Sequence, residues 1–176
     1  MNLRKKKANW LTQGAVIAAL YVALTLVFAP ISFGSMQVRI AEVMTILPLF
    51  TSAAIPGLLI GCILANLLGG AIIWDVVFGS LATLIGAALG YLLRRNRWLV
   101  PIPAIGSNTI IVPLILRYGY HMKEIPLWLS AVYILAGEFL GCFVLGELLA
   151  TALLKHKELF ADRKAAGRGS PNEGRR

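Results

Sequence analysis

The stretch WLTQGAVIAALYVALTLVFAP, residues 10–30, decides the class of fold. It holds about 20 mostly apolar residues in a row, which is the length a helix needs to cross the hydrocarbon core of a bilayer. A basic run from Arg4 to Lys7 precedes it, as in a secretory signal peptide. The apolar stretch is longer than a typical signal sequence, however, and further apolar stretches follow. We therefore expect a first membrane helix that is retained.

The rest of the chain predicts five more membrane helices. The apolar region from Ile40 to Gly70 is too long for one span, and Pro56 favours a helix start or break within it. The first of the two resulting helices is short and contains Pro48, so we expect it to be tilted, kinked or sheltered by the bundle. The predicted helices cover about 39–53, 55–70, 75–93, 99–116 and 127–154.

The composition fits a single membrane-embedded domain. Hydrophobic residues make up 58% of the 176 residues, 14% are charged, and the mean hydropathy is +0.76. A soluble domain of this size needs more charge to cover its surface. The net charge of +9 is also common in nucleic-acid binders. Here the basic residues stand between apolar runs, which favours membrane topology and argues against a nucleic-acid partner.

The basic residues predict the topology of the chain. Residues 4–7, 94–97 and 155–176 carry four, three and seven of the 17 Lys and Arg residues, and Arg39, Arg117 and Lys123 are the others. With six spans, the three basic segments fall on the same side, which is the cytoplasmic side by the positive-inside rule. We therefore expect an all-α membrane protein, a bundle of six transmembrane helices with both termini cytoplasmic.

Three segments follow from this topology, in a protein expected in the lipid bilayer of the plasma membrane. They are a basic cytoplasmic N-terminal tail (1–9), a six-helix substrate-binding domain (10–157) and a basic cytoplasmic C-terminal tail (158–176). The last segment is rich in Lys, Arg, Gly and Ala and has no apolar period, so we expect it to be disordered.

Small residues recur every four positions in three of the predicted spans. The third span carries Gly57, Gly61, Ala65 and Gly69, the fourth carries Ala82, Gly86 and Gly90, and the first carries Ala15, Ala19 and Ala23. Residues four apart share a helix face, and small side chains let helices approach closely in lipid. We expect internal packing for the third and fourth spans. For the first span, spacing alone leaves open whether the stripe packs internally or docks a partner helix.

Polar side chains at membrane depth are costly and are therefore candidates for a binding site. Arg39 and Glu42 lie three residues apart near the outer end of the second span, where they could pair on one face. Asn66 lies in the outer half of the third span. Asp75 begins the fourth, where it either caps the helix or meets a cationic ligand. Trp74 beside it either stacks on a planar ligand or belongs to an aromatic interface belt.

The fifth and sixth spans carry the remaining candidates. Asn108, near the middle of the fifth span, offers both a donor and an acceptor. Glu138 lies midway along the sixth span, and at 3.6 residues per turn it faces the opposite side from Glu147. We assign Glu138 to a ligand and Glu147 to packing or a partner contact. Cys62 and Cys142 lie in apolar stretches and are expected to pack as small residues, without a disulfide or a metal.

No catalytic or phosphate-binding motif stands out in the sequence. It contains no Gly-x-Ser-x-Gly, no His-Glu-x-x-His and no recognisable nucleophile–base pair, so we expect neither an enzyme nor a resident cofactor. It also contains no P-loop for ATP hydrolysis. A transporter of this kind is expected to use an ion gradient or to take energy from another subunit.

Several segments of the chain resemble a known family of transporters. They are ALYVALTL (19–26), APISFG (29–34), QVRIAE (37–42), PLFT (48–51), AIPG (54–57), GCILANLLGG (61–70) and DVVFGSLAT (75–83). Together they resemble the QueT-type queuosine-precursor transporters. The resemblance covers about residues 10–157 and is densest over 19–83.

The resemblance implies a substrate-binding component of an energy-coupling factor transporter. Proteins similar to these have six helices, bind substrate near the outer face, and associate with a transmembrane coupling subunit and a pair of cytoplasmic ATPase subunits. Their first helix typically carries small residues spaced by four that contact the coupling subunit, and Ala15, Ala19 and Ala23 match that pattern. The implied ligand is a 7-deazaguanine, such as 7-cyano-7-deazaguanine or 7-aminomethyl-7-deazaguanine.

The polar candidates are compatible with such a ligand. A guanine-like base shows two donors beside an acceptor on its pairing edge, and a carboxylate accepts from such donors. We expect Glu138 or Glu42 to take this role and Asn108 or Asn66 to meet the carbonyl group. Asp75 is the candidate partner for the cationic aminomethyl group.

Two further expectations concern charge and transport class. A buried carboxylate left unpaired in an empty site is costly, so we expect Arg39 to hold Glu42 until the ligand arrives. The alternatives to the main interpretation are a substrate-binding component for another vitamin, or a stand-alone secondary transporter. In the second case Glu138 and Glu147 are the candidate proton-relay carboxylates.

Overall fold

The computed structural model describes residues 3–32 and 39–155, and this part of the chain is all-helical, as predicted. Its six main helices are α1 (Leu3–Val27), α2 (Ile40–Leu49), α3 (Ala54–Leu68), α4 (Asp75–Leu92), α5 (Arg97–Gly119) and α6 (Leu127–Leu154). A single turn, Ala29–Ser32, continues α1. The tail predicted over residues 158–176 lies outside the described residues.

Within the described ranges, four helices are long and apolar enough to cross a membrane. They are α1 from Lys6 onward, α4, α5 and α6. The shorter helices α2 and α3 have 10 and 15 residues. Seven residues of α2 are buried, which confirms the expectation that the bundle shelters it. Since α1 begins at Leu3, the basic segment that precedes the predicted first span forms its opening turns.

The winding of α2 sets the direction of its polar side chains. All ten residues form a 3-10 helix, in which side chains three positions apart stand in line. The N-cap residue Arg39, Glu42 and Thr45 therefore share one edge, and all three are buried. The other two edges are apolar and pack into separate parts of the core, Ala41, Met44 and Leu47 in one and Ile46 and Leu49 in the other. The helix thus turns a polar edge into the bundle while its apolar edges stay packed.

Glycines allow two pairs of helices to pack in close contact. A Cβ atom on Gly57 of α3 would lie 2.8 Å from the carbonyl oxygen of Gly14 in α1. A Cβ atom on Gly86 of α4 would lie 2.7 Å from the Cα atom of Ala104 in α5. The small residues of the third and fourth spans therefore serve internal packing, as predicted.

The first helix uses a different set of small residues for this packing. Its Ala18 carbonyl oxygen would lie 3.1 Å from a Cβ atom on Gly61 of α3. Ala15, Ala19 and Ala23, in contrast, are exposed on the outside of the bundle. Their exposure leaves these alanines available to a partner helix.

We predict that Gly86→Ala destabilises the bundle, although alanine favours helices. Its new methyl group would meet the backbone of Ala104, so α4 and α5 must move apart at a cost of about 1–3 kcal/mol. The control is Gly106→Ala on α5, where no atom outside the neighbouring helix backbone lies within 4 Å of the new Cβ atom and helix propensity improves by about 1 kcal/mol. Thermal unfolding in detergent compares the two variants, and equal Tm values would contradict the close packing at Gly86.

Candidate functional site

Polar side chains from all six helices meet inside the bundle in two adjoining groups. The ion-pair cluster consists of Arg39, Cys62, Asn66, Asp75, Thr83 and Tyr120. The carboxyl cluster consists of Tyr21, Glu42, Thr45, Asn108, Glu138 and Cys142. The polar edge of α2 supplies residues to both clusters, so its winding joins them into one polar region.

A buried ion pair is the centre of the first cluster. Arg39 Nη2 lies 3.1 Å from each carboxylate oxygen of Asp75, and the two side chains are only 6% and 0% exposed. Charge-assisted hydrogen bonds of this kind are strong where water is excluded. The expectation that Arg39 holds Glu42 is therefore wrong. Glu42 is bonded by Tyr21 instead, and the guanidinium group reaches across to α4.

Side chains of α3 and α4 complete the surroundings of the ion pair. Asn66 Nδ2 donates to the backbone carbonyl of Asp75 at 3.1 Å, at the point where α4 begins with a π-helical turn. Cys62 Sγ accepts weak hydrogen bonds from Arg39 and Asn66, at 3.9 and 3.7 Å, and a shorter one from Thr83 at 3.4 Å. Residues at the starts of α2 and α4 thus form the ion pair, and side chains of α3 contact both of them.

Tyr120 closes this cluster from the end of α5. It follows the last residue of the α5 span, and its hydroxyl group donates to Asp75 Oδ2 at 3.4 Å. Partial burial, and next the nearby charge of Asp75, raises the pKa of the Tyr120 hydroxyl group. The group therefore stays protonated at neutral pH and remains a donor to Asp75.

Two buried glutamates face each other in the carboxyl cluster. Tyr21 Oη donates to Glu42 Oε1 at 2.7 Å, and Cys142 Sγ donates to Glu138 Oε2 at 3.0 Å. The Asn108 side chain lies beside Glu138, close enough to interact with its carboxylate. A carboxylate oxygen of each glutamate and the sulfur of Cys142 all lie within 4.8 Å of one another. Two carboxylates at this spacing repel each other unless a proton or a cation lies near them.

Three buried polar atoms of these clusters lack a hydrogen-bond partner among the described residues. They are the donor Arg39 Nε and the acceptors Glu42 Oε2 and Asn66 Oδ1. Buried polar atoms are nearly always paired, and leaving one unpaired costs about 1–3 kcal/mol. The polar region therefore offers one donor and two acceptors to a guest molecule.

The structure brings together all of the predicted ligand-binding residues except Trp74. Arg39, Asn66 and Asp75 meet in one cluster and Glu42, Asn108 and Glu138 in the other. Trp74 is 55% exposed on the outside of the bundle and stacks on Phe78 with ring centroids 5.5 Å apart. It therefore lies apart from the clusters, although it adjoins Asp75 in the chain.

The geometry of α6 corrects one prediction. Glu138 and Glu147 are both buried, with Gly141 and Cys142 on the same buried face between them. They do not face opposite sides, because the π-helical segment Phe139–Leu145 turns less per residue than an ideal α-helix. Glu147 lies outside the two clusters and pairs with Arg97, whose Nε atom is 2.9 Å from Glu147 Oε2.

Six contributors to the clusters were missed at the level of sequence, namely Tyr21, Thr45, Cys62, Thr83, Tyr120 and Cys142. Cys62 and Cys142 are free and buried, as predicted, but their sulfur atoms also bond to polar neighbours. Tyr120 lies outside the predicted spans. Tyr21 carried a usable signal, because a hydroxyl group in the middle of an apolar span must find a partner.

The fold and the site define a multi-pass helical membrane protein with a polar site inside its bundle. The chain belongs to the QueT transporter family, whose model matches residues 11–155. This confirms the resemblance read from the motifs.

One similar protein is the Queuosine precursor transporter QueT of Lactococcus lactis subsp. cremoris (strain MG1363). It is 36% identical over 94 residues, which cover 52% of this chain and 54% of that protein. The chain therefore matches about half the length of this curated relative. No solved structure matches the chain significantly.

We predict that Arg39→Gln destabilises the protein by about 3–5 kcal/mol, because it leaves the carboxylate of Asp75 buried and unpaired. The control is Arg97→Gln, which breaks a pair whose arginine is 33% exposed and should cost about 1 kcal/mol or less. Thermal unfolding in detergent measures both. The double variant Arg39→Gln/Asp75→Asn should recover part of the loss, and the absence of any recovery would show that the pair is not the cause.

Proposed function

We propose that this chain is the substrate-binding component of an ATP-driven energy-coupling factor uptake transporter for a queuosine precursor, a 7-deazaguanine. Membership of the QueT transporter family and the name of the Lactococcus lactis relative support transport of such a precursor. The observation that carries the proposal is the set of buried, unpartnered polar atoms on Arg39, Glu42 and Asn66.

These atoms suit a guanine-like base better than an apolar vitamin. The pairing edge of guanine presents N–H donors beside a carbonyl acceptor. Arg39 Nε can donate to the carbonyl and Asn66 Oδ1 can accept from an N–H group of this edge, while Glu42 Oε2 can accept from a further N–H group of the ligand. An apolar guest would leave all three atoms unpaired, at about 1–3 kcal/mol each.

The proposal includes six membrane crossings with both termini in the cytoplasm. The segments are then a basic tail (1–9), the bundle (10–157) and a second basic tail (158–176). Exposed Arg94 and Arg95, in the turn between α4 and α5, support a cytoplasmic position for that turn. The opposite ends of the helices, where α2 and α4 begin, then carry the ion-pair cluster towards the outer side. A reporter placed after the last residue and found outside the cell would overturn this arrangement.

The proposed partners are a transmembrane coupling subunit and a pair of cytoplasmic ATPase subunits. The support is the exposed stripe of Ala15, Ala19 and Ala23 on α1, where small side chains let another helix come close.

A stand-alone secondary transporter is the second candidate, favoured by the short distance between the carboxylates of Glu42 and Glu138. Two such groups can pass a proton between them. Copurification separates the two candidates. Tagged protein that brings down a pair of ATPases supports the first, and uptake by the chain alone supports the second.

We predict that the purified protein binds at least one 7-deazaguanine more tightly than guanine, as measured by calorimetry with the 7-cyano and 7-aminomethyl forms. Glu138→Gln should weaken binding of the tighter ligand about ten-fold or more, because it removes a charged acceptor. Glu147→Gln, on the same helix but paired with Arg97, should leave the affinity unchanged. Binding of guanine alone, or of no base, would refute the ligand assignment.

We predict that Ala19→Leu leaves ligand binding intact but reduces uptake in cells, since a large side chain keeps the coupling subunit from approaching α1. Ala136→Leu on α6 is the control, because Ala136 is also exposed but lies outside the stripe. Calorimetry and uptake of labelled precursor provide the two measurements. Normal uptake by the Ala19→Leu variant would show that the stripe is not the docking surface.

A further inference from the structure

The buried charges of the two clusters do not balance. Among residues 3–32 and 39–155, four buried side chains of these clusters are acidic or basic. They are Arg39, Glu42, Asp75 and Glu138. Arg39 is bonded to both oxygens of Asp75. The two glutamates consequently have no basic side chain of the described chain within 4.0 Å. Two buried carboxylates this close together need a proton or a cation near them, and a cation carried by the ligand would meet this need.

The carboxyl cluster has the geometry of a site for a small cation. Oxygens of Glu42 and Glu138 lie within 4.8 Å of each other and of Cys142 Sγ. One nitrogen can bridge such a gap, since charge-assisted N–H···O bonds are about 2.7–2.9 Å long. Tyr21 and Cys142 donate to one oxygen of each glutamate. Glu42 Oε2 has no donor, and the residue is buried, with only 1% of its surface exposed.

Asp75 is not free to take this role. Both of its oxygens receive hydrogen bonds from Arg39, and Tyr120 donates to Oδ2 as well. A ligand cation at Asp75 would have to compete with the guanidinium group of Arg39. The unpartnered atoms of the ion-pair cluster, Arg39 Nε and Asn66 Oδ1, instead suit a neutral carbonyl and N–H edge.

We infer that the carboxyl cluster is a cation subsite that receives the primary ammonium group of the ligand, and that the site therefore prefers the charged 7-aminomethyl-7-deazaguanine over the neutral 7-cyano form. This inference rests on the proposed function. An ammonium group carries three N–H donors and no acceptor, which matches a pair of carboxylates that includes a free oxygen. The nitrile group has no N–H donor and leaves that oxygen unpaired.

The experiment is calorimetry of the full-length protein in detergent with the 7-aminomethyl form, the 7-cyano form and guanine. The wild type should bind the 7-aminomethyl form about ten-fold or more tightly than the 7-cyano form. Glu42→Gln and Glu138→Gln should each remove most of that preference and change the affinity for the 7-cyano form much less. Glu147→Gln is the matched control and should keep the preference, because its carboxylate pairs with Arg97 outside the clusters.

The outcomes distinguish this inference from the proposed function. If the wild type binds both 7-deazaguanines equally, or if both glutamine variants keep the preference, the cation subsite is wrong while the proposed function stands. If neither 7-deazaguanine binds, the proposed function fails and the inference fails with it. A separate titration uses Zn²⁺ alone. Tight Zn²⁺ binding that Glu42→Gln abolishes would identify a metal site in place of the ammonium subsite.

Discussion

The bond between Arg39 and Asp75 joins the first residue before α2 to the first residue of α4, deep inside the bundle. Each charge is tolerated out of water only because the other is present, so the two helices can pack only with these ends together. That constraint also fixes Glu42, which follows Arg39 along the same edge of α2. Glu42 is thereby placed opposite Glu138 of α6. The carboxyl cluster thus depends on an ion pair to which it contributes no atom.

The helical architecture was predictable because long apolar runs have few solutions in lipid. Four of the predicted spans correspond to helices of sufficient length, and the division at Pro56 correctly separated α2 from α3. The local windings were harder to foresee. A polar residue at every third position, Arg39, Glu42 and Thr45, is the signal of a 3-10 helix, but it is short and resembles the pattern of an α-helical pair.

The candidate site shows where sequence reasoning stops. Rarity of charged and amide side chains in lipid was enough to select six of the twelve residues that form the two clusters. The hydroxyl and thiol groups were missed, and Trp74 failed because neighbouring residues on a helix point in different directions. The sequence did not predict which of these polar side chains bond to each other. The partner of Arg39 lies 36 residues away rather than three, and such a choice depends on how the helices are rotated. The relation of Glu138 to Glu147 was missed because an α-helical period was applied across a π-helical segment.

The 3-10 winding of α2 also gives it more reach than its length suggests. Each residue of such a helix advances about 2.0 Å instead of about 1.5 Å, so that ten residues extend roughly 20 Å, about two thirds of a hydrocarbon core near 30 Å thick. At one end lie the polar clusters, and towards the other Ile46 packs on Val100 and Ala150. If the segment formed an α-helix instead, it would be about 5 Å shorter. It could then not reach both the polar clusters and the contact with Val100 and Ala150.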